Sequence, residues 1–278
     1  MKRRHNQPGD EMIETIPSFG LGTFRVDAAK TTNAVKSALE IGYRHIDTAQ
    51  FYNNETAVGQ GVRDSGVPRE DIWVTTKVWW DRLSHDALVA SLKDSHAKLG
   101  IGTIDLALVH WPSPDGAVPI TETLAAMQEA QKLGLIRHYG VSNFTAPLLE
   151  EAVDAPGGKV IVTNQFEVSP FLANRKLVEA TQRLGVKVTA YMPLGEGCAH
   201  TDPTLQAIAA KHGATPAQVT FAWLLSRDIV VLSASTNAEH QRSNWNAQKL
   251  KLDADDIAQI DALDEGKRNA NPPFAPKW

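Results

Sequence analysis

Short β-rich runs alternate with longer amphipathic stretches along the chain, and that alternation predicts the fold. Eight runs read as strands: "FGLGTF" (19–24), "YRHID" (43–47), "IWVTTK" (72–77), "IDLALVH" (104–110), "IRHYGVS" (136–142), "VIVTNQ" (160–165), "VKVTAY" (186–191) and "IVVLS" (229–233). Several are apolar on both faces of the pleat, as strands covered on two sides are. Between them, "AAKTTNAVKSALEIG" (28–42), "SHDALVASLKDSHAKLG" (84–100) and "ITETLAAMQEAQKLG" (120–134) read as helices. In the second, Leu88, Leu92, Ala97 and Leu99 predict one buried face. Gly42, Gly100, Gly134 and Gly185 read as helix C-caps, Ser84 and Thr145 as N-caps.

Eight strand–helix units with such strands predict an α/β fold, a (β/α)8 TIM barrel. A doubly wound dinucleotide fold needs GxGxxG after a strand, and the two near matches fail. "GLGTFR" and "GQGVRD" place Arg25 and Asp64 where the third glycine is required. The 278 residues suit one such barrel domain. Residues 1–15 read as a flexible arm, "DADDIAQIDALDEG" (253–266) as an additional C-terminal helix, and the proline-rich stretch 267–278 as an irregular tail near the barrel mouth.

Composition works mainly by exclusion. Hydrophobic content of 42% with 22% charged residues describes a globular chain with a full core. A net charge of −4 argues against nucleic acid as a partner. No run approaches the ~20 apolar residues of a membrane span, and "MKRRHNQPGDEM" lacks the apolar core of a signal peptide. The single cysteine, Cys198, excludes an internal disulfide and fits a cytoplasmic protein. No HExxH or CxxC spacing exists, and Cys198-x-His200 has no third ligand nearby, so no metal is expected.

Active sites of such barrels form at the C-terminal strand ends. The polar residues closing the predicted strands are Asp47, Lys77, His110, Ser142 with Asn143, Gln165, Tyr191 and Ser233. Asp47, Lys77, His110 and Asn143 lie 30, 33 and 33 residues apart, close to one strand–helix unit each. Singly, each has an ordinary role: a turn cap, a snorkelling amine, a rim histidine. Their convergence on one mouth points to chemistry instead. A free tyrosine has a pKa of ~10, which an adjacent ammonium lowers, while a carboxylate keeps that ammonium in place. Tyr52, Lys77 and Asp47 supply those three parts, and His110 can orient a carbonyl oxygen. A tyrosine acid of this kind suits protonation of an alkoxide as hydride arrives, and proteins take that hydride from a nicotinamide cofactor.

"FGLGTFR", "GYRHIDTAQFYNNE", "TTKVW", "DLALVHWP", "GVSNF", "TNQFEVSPF" and "TAYMPLG" resemble the aldo-keto reductase family, in order and spacing, from about Ser18 to Leu263. The resemblance is strongest to the bacterial branch that reduces 2,5-diketo-D-gluconate and methylglyoxal. It implies a barrel that binds NADPH without a Rossmann motif, reduces small carbonyl substrates, and is monomeric. It implies a tetrad of Asp47, Tyr52, Lys77 and His110, with Tyr52 as proton donor. Carboxamide contacts fall on Ser142, Asn143 and Gln165, and the ring stacked on the nicotinamide on Tyr191. Gly22, Thr23 and Leu194 match positions around the cofactor. Phe24, Phe51, Trp79 and Trp111 match the substrate pocket, which the short connection after the fourth strand would leave open.

One segment departs from the family. The adenosine 2′-phosphate site there carries a lysine and an arginine, whereas "SASTNAEHQRSN" (233–244) places Ala234 and His240 at those positions and Ser243 at a late glutamate. Two charge-assisted contacts, each worth ~1.5–3 kcal/mol, are lost. Ser233, Ser235, Thr236, Asn244 and the N–H groups opening the next helix remain to cradle a phosphate. Arg242 sits two residues beyond the usual arginine. NADPH is therefore expected with a weakened preference over NADH. Two other readings compete: a Schiff-base barrel aldolase using Lys77, which the Asp47 charge disfavours, and a slow, redox-sensing nucleotide-binding member of the superfamily.

Overall fold

The computed structural model describes residues 15–278. Most of the expected arm therefore lies outside the described residues. Eight parallel strands close on themselves in chain order. They are β1 (Phe19–Gly22), β2 (His45–Asp47), β3 (Trp73–Val78), β4 (Ile104–Val109), β5 (Ile136–Ser142), β6 (Ile161–Glu167), β7 (Lys187–Tyr191) and β8 (Ile229–Ser233). The fold is a (β/α)8 TIM barrel, with three helices between β7 and β8. Among the described residues, no helix is long and apolar enough to cross a membrane.

Pleat parity divides the strands into two faces. Ala107 and Val109 belong to the large cluster that packs the helices on the barrel, while Leu106 and Leu108 join Ile16, Trp73 and Val230 in a smaller one. Above that smaller cluster the same parity carries polar pairs. His45 Nε2 lies 3.0 Å from Thr75 Oγ1, and Thr163 Oγ1 lies 2.8 Å from Thr189 Oγ1. The inner face thus mixes apolar residues with paired polar ones, although His45 Nδ1 is buried without a partner, and its upper layer forms the floor of the mouth.

Several boundaries differ from the sequence reading. β1 stops at Gly22, because the chain turns there and Arg25 adopts φ 58°. β2 starts at His45, because the Tyr43 amide still bonds Ala38 O at the end of the preceding helix. β6 runs two residues further, to Glu167. In helix His85–Leu99, Leu88, Leu92 and Leu99 are buried but Ala97 is exposed; Ser91 and Ser95 occupy the stripe instead, since Ala97 lies nine positions from Leu88, half a turn away. Ser84 and Thr145 occupy N-cap positions without side-chain capping bonds. The last helix is shorter than expected, Ala254–Asp261, opened by a capping box between Asp253 and Asp256.

Candidate active site

Asp47 and Lys77 are buried and paired across the mouth floor. Lys77 Nζ donates to an Asp47 carboxylate oxygen, to Thr48 O at 2.9 Å and to Tyr52 Oη at 3.4 Å, which uses all three of its donors. The other Asp47 oxygen accepts from Gln165 Nε2 at 2.9 Å. Tyr52 closes a 3₁₀ turn, Gln50–Tyr52, directly after β2. Gln50 pins that turn to the next helix by donating to Ser91 O at 3.1 Å and Ser95 Oγ at 3.0 Å. Asn54 ties its far end to the first turn, donating to Thr23 O at 3.0 Å. The His110 ring meets Tyr52 edge-on at 5.8 Å, and its Nδ1 is buried without a partner.

The electrostatics correct one expectation. Burial pushes the Tyr52 phenol well above its ordinary value, and the Asp47 charge pushes the same way. The lowering expected from Lys77 does not win, because the ammonium is shared with Asp47 and itself disfavoured: burial pulls Lys77 down, against Asp47. His110 is held well below its usual range by burial and then by Lys77. At neutral pH the site therefore presents a protonated phenol beside a neutral imidazole.

A cavity of about 860 Å³ opens over these groups. Its apolar side is aromatic. Phe51 stacks on Trp79 at 4.1 Å, Phe24 lies 5.1 Å from Tyr52, and Trp111 is buried behind them. The tail closes this side, contrary to the open mouth expected from the short connection after β4. Phe274 packs on Trp79 at 5.6 Å, Trp80 at 5.3 Å and Trp111 at 5.6 Å. The sequence reading expects the tail 269–278 to shape the pocket, as its lining residues do, but does not single out Phe274, whose signal is an apolar side chain after two prolines.

The polar side carries Gly22, Asn143, Gln165, Tyr191, Leu194 and Ser233. Asn143 Nδ2 donates to His110 O at 2.9 Å, and its Oδ1 accepts from Tyr191 Oη at 2.6 Å. An aromatic ring flanked by two side-chain amides, in a cavity of this size, fits an amide-bearing nicotinamide ring. Thr23 and Ser142 do not line the cavity; their hydroxyls donate to Asp47 O at 3.1 Å and Gln165 O at 2.8 Å. Arg25 and Glu196 join across the mouth at 3.0 Å, another pair that sequence reasoning missed.

The segment expected to hold a 2′-phosphate is differently occupied. Ala234 lines the cavity, but Ser235, Thr236, His240 and Asn244 do not. Asn237 caps the helix Ala238–Trp245, accepting from the N–H groups of Glu239 at 2.8 Å and His240 at 3.1 Å. Two of the donors expected to cradle phosphate are thus already bonded. Arg242 lines a separate shallow hollow with Gln218 and Asn246. Among the described residues, no cluster of potential metal ligands occurs.

The barrel agrees with comparisons to known proteins. The aldo/keto reductase family model matches residues 18–265, and the chain belongs to that family and is an oxidoreductase. It is 49% identical over 264 residues to the methylglyoxal reductase DkgB of Escherichia coli O157:H7, covering 95% of this chain and 99% of that one. A 9,11-endoperoxide prostaglandin H2 reductase of Trypanosoma cruzi is 40% identical over 262 residues, 93% and 91% of the two chains. Among solved structures, a provisional 2,5-diketo-D-gluconic acid reductase B superposes with a TM-score of 0.89 at 39% identity, over 95% and 94% of the chains.

Proposed function

We propose that the protein reduces small aldehydes and ketones, methylglyoxal and 2,5-diketo-D-gluconate among the candidates, to alcohols at the Asp47–Tyr52–Lys77–His110 site. NADPH, when bound, would supply the hydride to the carbonyl carbon from a nicotinamide C–H bond, leaving oxidised cofactor. Tyr52 gives its phenolic proton to the oxygen, and the O–H bond broken on tyrosine is replaced by the one formed on product. Lys77, within 3.4 Å of that hydroxyl, stabilises the phenolate left behind until solvent returns a proton. Asp47 holds Lys77 in place. Neutral His110 donates a hydrogen bond to the carbonyl oxygen and so orients it. Tyr191 would stack against the nicotinamide ring and Asn143 and Gln165 would hold its carboxamide, with Ser142, whose hydroxyl donates to Gln165 O, positioning Gln165.

The Lys77 hydrogen bond to Tyr52 carries this reading, because it places a stabilising charge where the phenolate forms. It argues against an aldolase, since a lysine bonded to three acceptors has no free lone pair for attack. The test is cofactor oxidation with methylglyoxal, 2,5-diketo-D-gluconate and benzaldehyde; absence of turnover with all three would contradict the proposal.

We infer a weak preference for NADPH over NADH, because Ala234 brings no charge and Asn237 occupies two helix N–H groups. The kcat/KM ratio for the two cofactors is expected below about a thousandfold, the ~4 kcal/mol of a well-recognised phosphate. A larger ratio would refute it. A cytoplasmic monomer is the expected working form, checked by a sedimentation mass of 30.3 kDa.

A further inference from the structure

The tail is fastened to the barrel by one buried carboxylate outside the tetrad. Glu167 ends β6 and is fully buried. Its Oε1 accepts from Asn269 Nδ2 at 2.7 Å and Asn269 N at 3.1 Å. Its Oε2 accepts from Asn269 N at 3.0 Å and Ala270 N at 2.9 Å. Every one of these partners is a donor from the tail, so the carboxylate is matched to the tail rather than to the barrel. Asn174 adds a second tie, donating to Glu167 O at 2.6 Å and accepting from Arg268 Nη2 at 3.0 Å.

Beyond this clasp the chain is stiff. Asn271 leads into Pro272 and Pro273, whose rings restrict the backbone, and a turn closes with Ala275 N donating to Pro272 O at 2.8 Å. Phe274 is delivered onto the three tryptophans at the mouth. Trp278 folds back, its ring 3.6 Å from the Arg268 guanidinium and its Nε1 donating to Asn271 Oδ1 at 3.2 Å. The tail is thus a short closed loop with one buried foot, and its far side forms a wall of the cavity.

We propose that Glu167 is a positioning residue for substrate selection: it seats the tail so that Phe274 walls the pocket around small carbonyls. The proposal rests on the reductase reading. Removing the clasp loosens Phe274, weakens the hold on small substrates and admits bulkier ones, while the Asp47–Lys77–Tyr52 floor is untouched. Glutamine at position 167 is the discriminating change, because it keeps the shape but sets an NH2 donor against tail donors, whichever way the amide turns.

The test uses the full chain with Glu167→Gln, Phe274→Ala and both changes together. Amide exchange over 267–276 in Glu167→Gln is expected to quicken by at least about tenfold while the barrel strands stay protected. For methylglyoxal, KM is expected to rise about tenfold with kcat nearly unchanged, the size of one lost aromatic wall. Relative kcat/KM for benzaldehyde over methylglyoxal is expected to rise in both single variants. The double variant is expected to match Phe274→Ala alone, since one change acts through the other.

Unchanged tail exchange would overturn the clasp. Additive effects, or equal losses of kcat for both substrates, would show that Glu167 acts on the barrel or on neighbouring Tyr191 instead, and would overturn the selection role. If the unmodified protein reduces no carbonyl, the selection role falls with the reductase reading, while the exchange measurement still decides whether Glu167 seats the tail.

Discussion

At the Asp47–Lys77–Tyr52–His110 end of the mouth, polar groups from different strands hold one another; beyond β8, the single turn at Asn237 satisfies itself. Lys77 on β3 reaches Asp47 and Thr48 beyond β2, and Gln165 on β6 reaches Asp47 from across the barrel. By contrast, Asn237 bonds residues two and three positions on, in an exposed turn. The first arrangement stands or falls with barrel closure, so its geometry is fixed before any ligand arrives. The second rests on local bonds within one exposed turn, so a change there leaves the barrel undisturbed.

The largest effect that separates the two ends is expected from Lys77→Met. It removes the charge beside the forming phenolate and leaves Asp47 buried without its cation. Turnover is expected to fall by about 10²–10⁴-fold, the usual size of a general-acid contribution, in steady-state assays with methylglyoxal. A loss smaller than tenfold would mean that Tyr52 works without it. At the other end, Ala234→Lys places a cation on the cavity wall. It is expected to raise the NADPH-over-NADH ratio of kcat/KM by about tenfold or more, one charge-assisted contact, with little change in kcat. No change in the ratio would show that the phosphate lies elsewhere.

A smaller expected effect concerns stability. Burial takes His45 down to about 4 from its ordinary 6.5. Between those values the unfolded chain binds a proton that the folded barrel refuses, so stability falls as pH drops through that window and levels out below it. The loss from this one group is of order 3 kcal/mol. Urea melts from pH 7 to pH 4 measure it, and His45→Asn is expected to flatten the slope.

Much of this architecture was legible in the chain. Strands such as "IDLALVH" announce themselves because both faces are covered, and the strand-end rule then gathers Asp47, Lys77 and His110 at one mouth. Less legible were features that depend on what the fold brings near. The Tyr52 phenol moved up rather than down, because burial and Asp47 outweigh an ammonium that is itself shared. Glu167 escaped notice because a charged residue reads as the end of a strand, yet β6 continues to include it. Phe274 and Asn237 lie in segments without hydrophobic period, where local sequence sets the turn but not the neighbour it meets.

The central claim is that Tyr52 donates the proton, and Tyr52→Phe tests it most directly. That change deletes one hydroxyl and keeps the ring that packs against Phe24 and His110. The expected result is a fall in kcat for methylglyoxal of about 10²–10⁴-fold, with NADPH affinity, read by quenching of protein fluorescence, unchanged. Near-normal turnover in that variant would contradict the account.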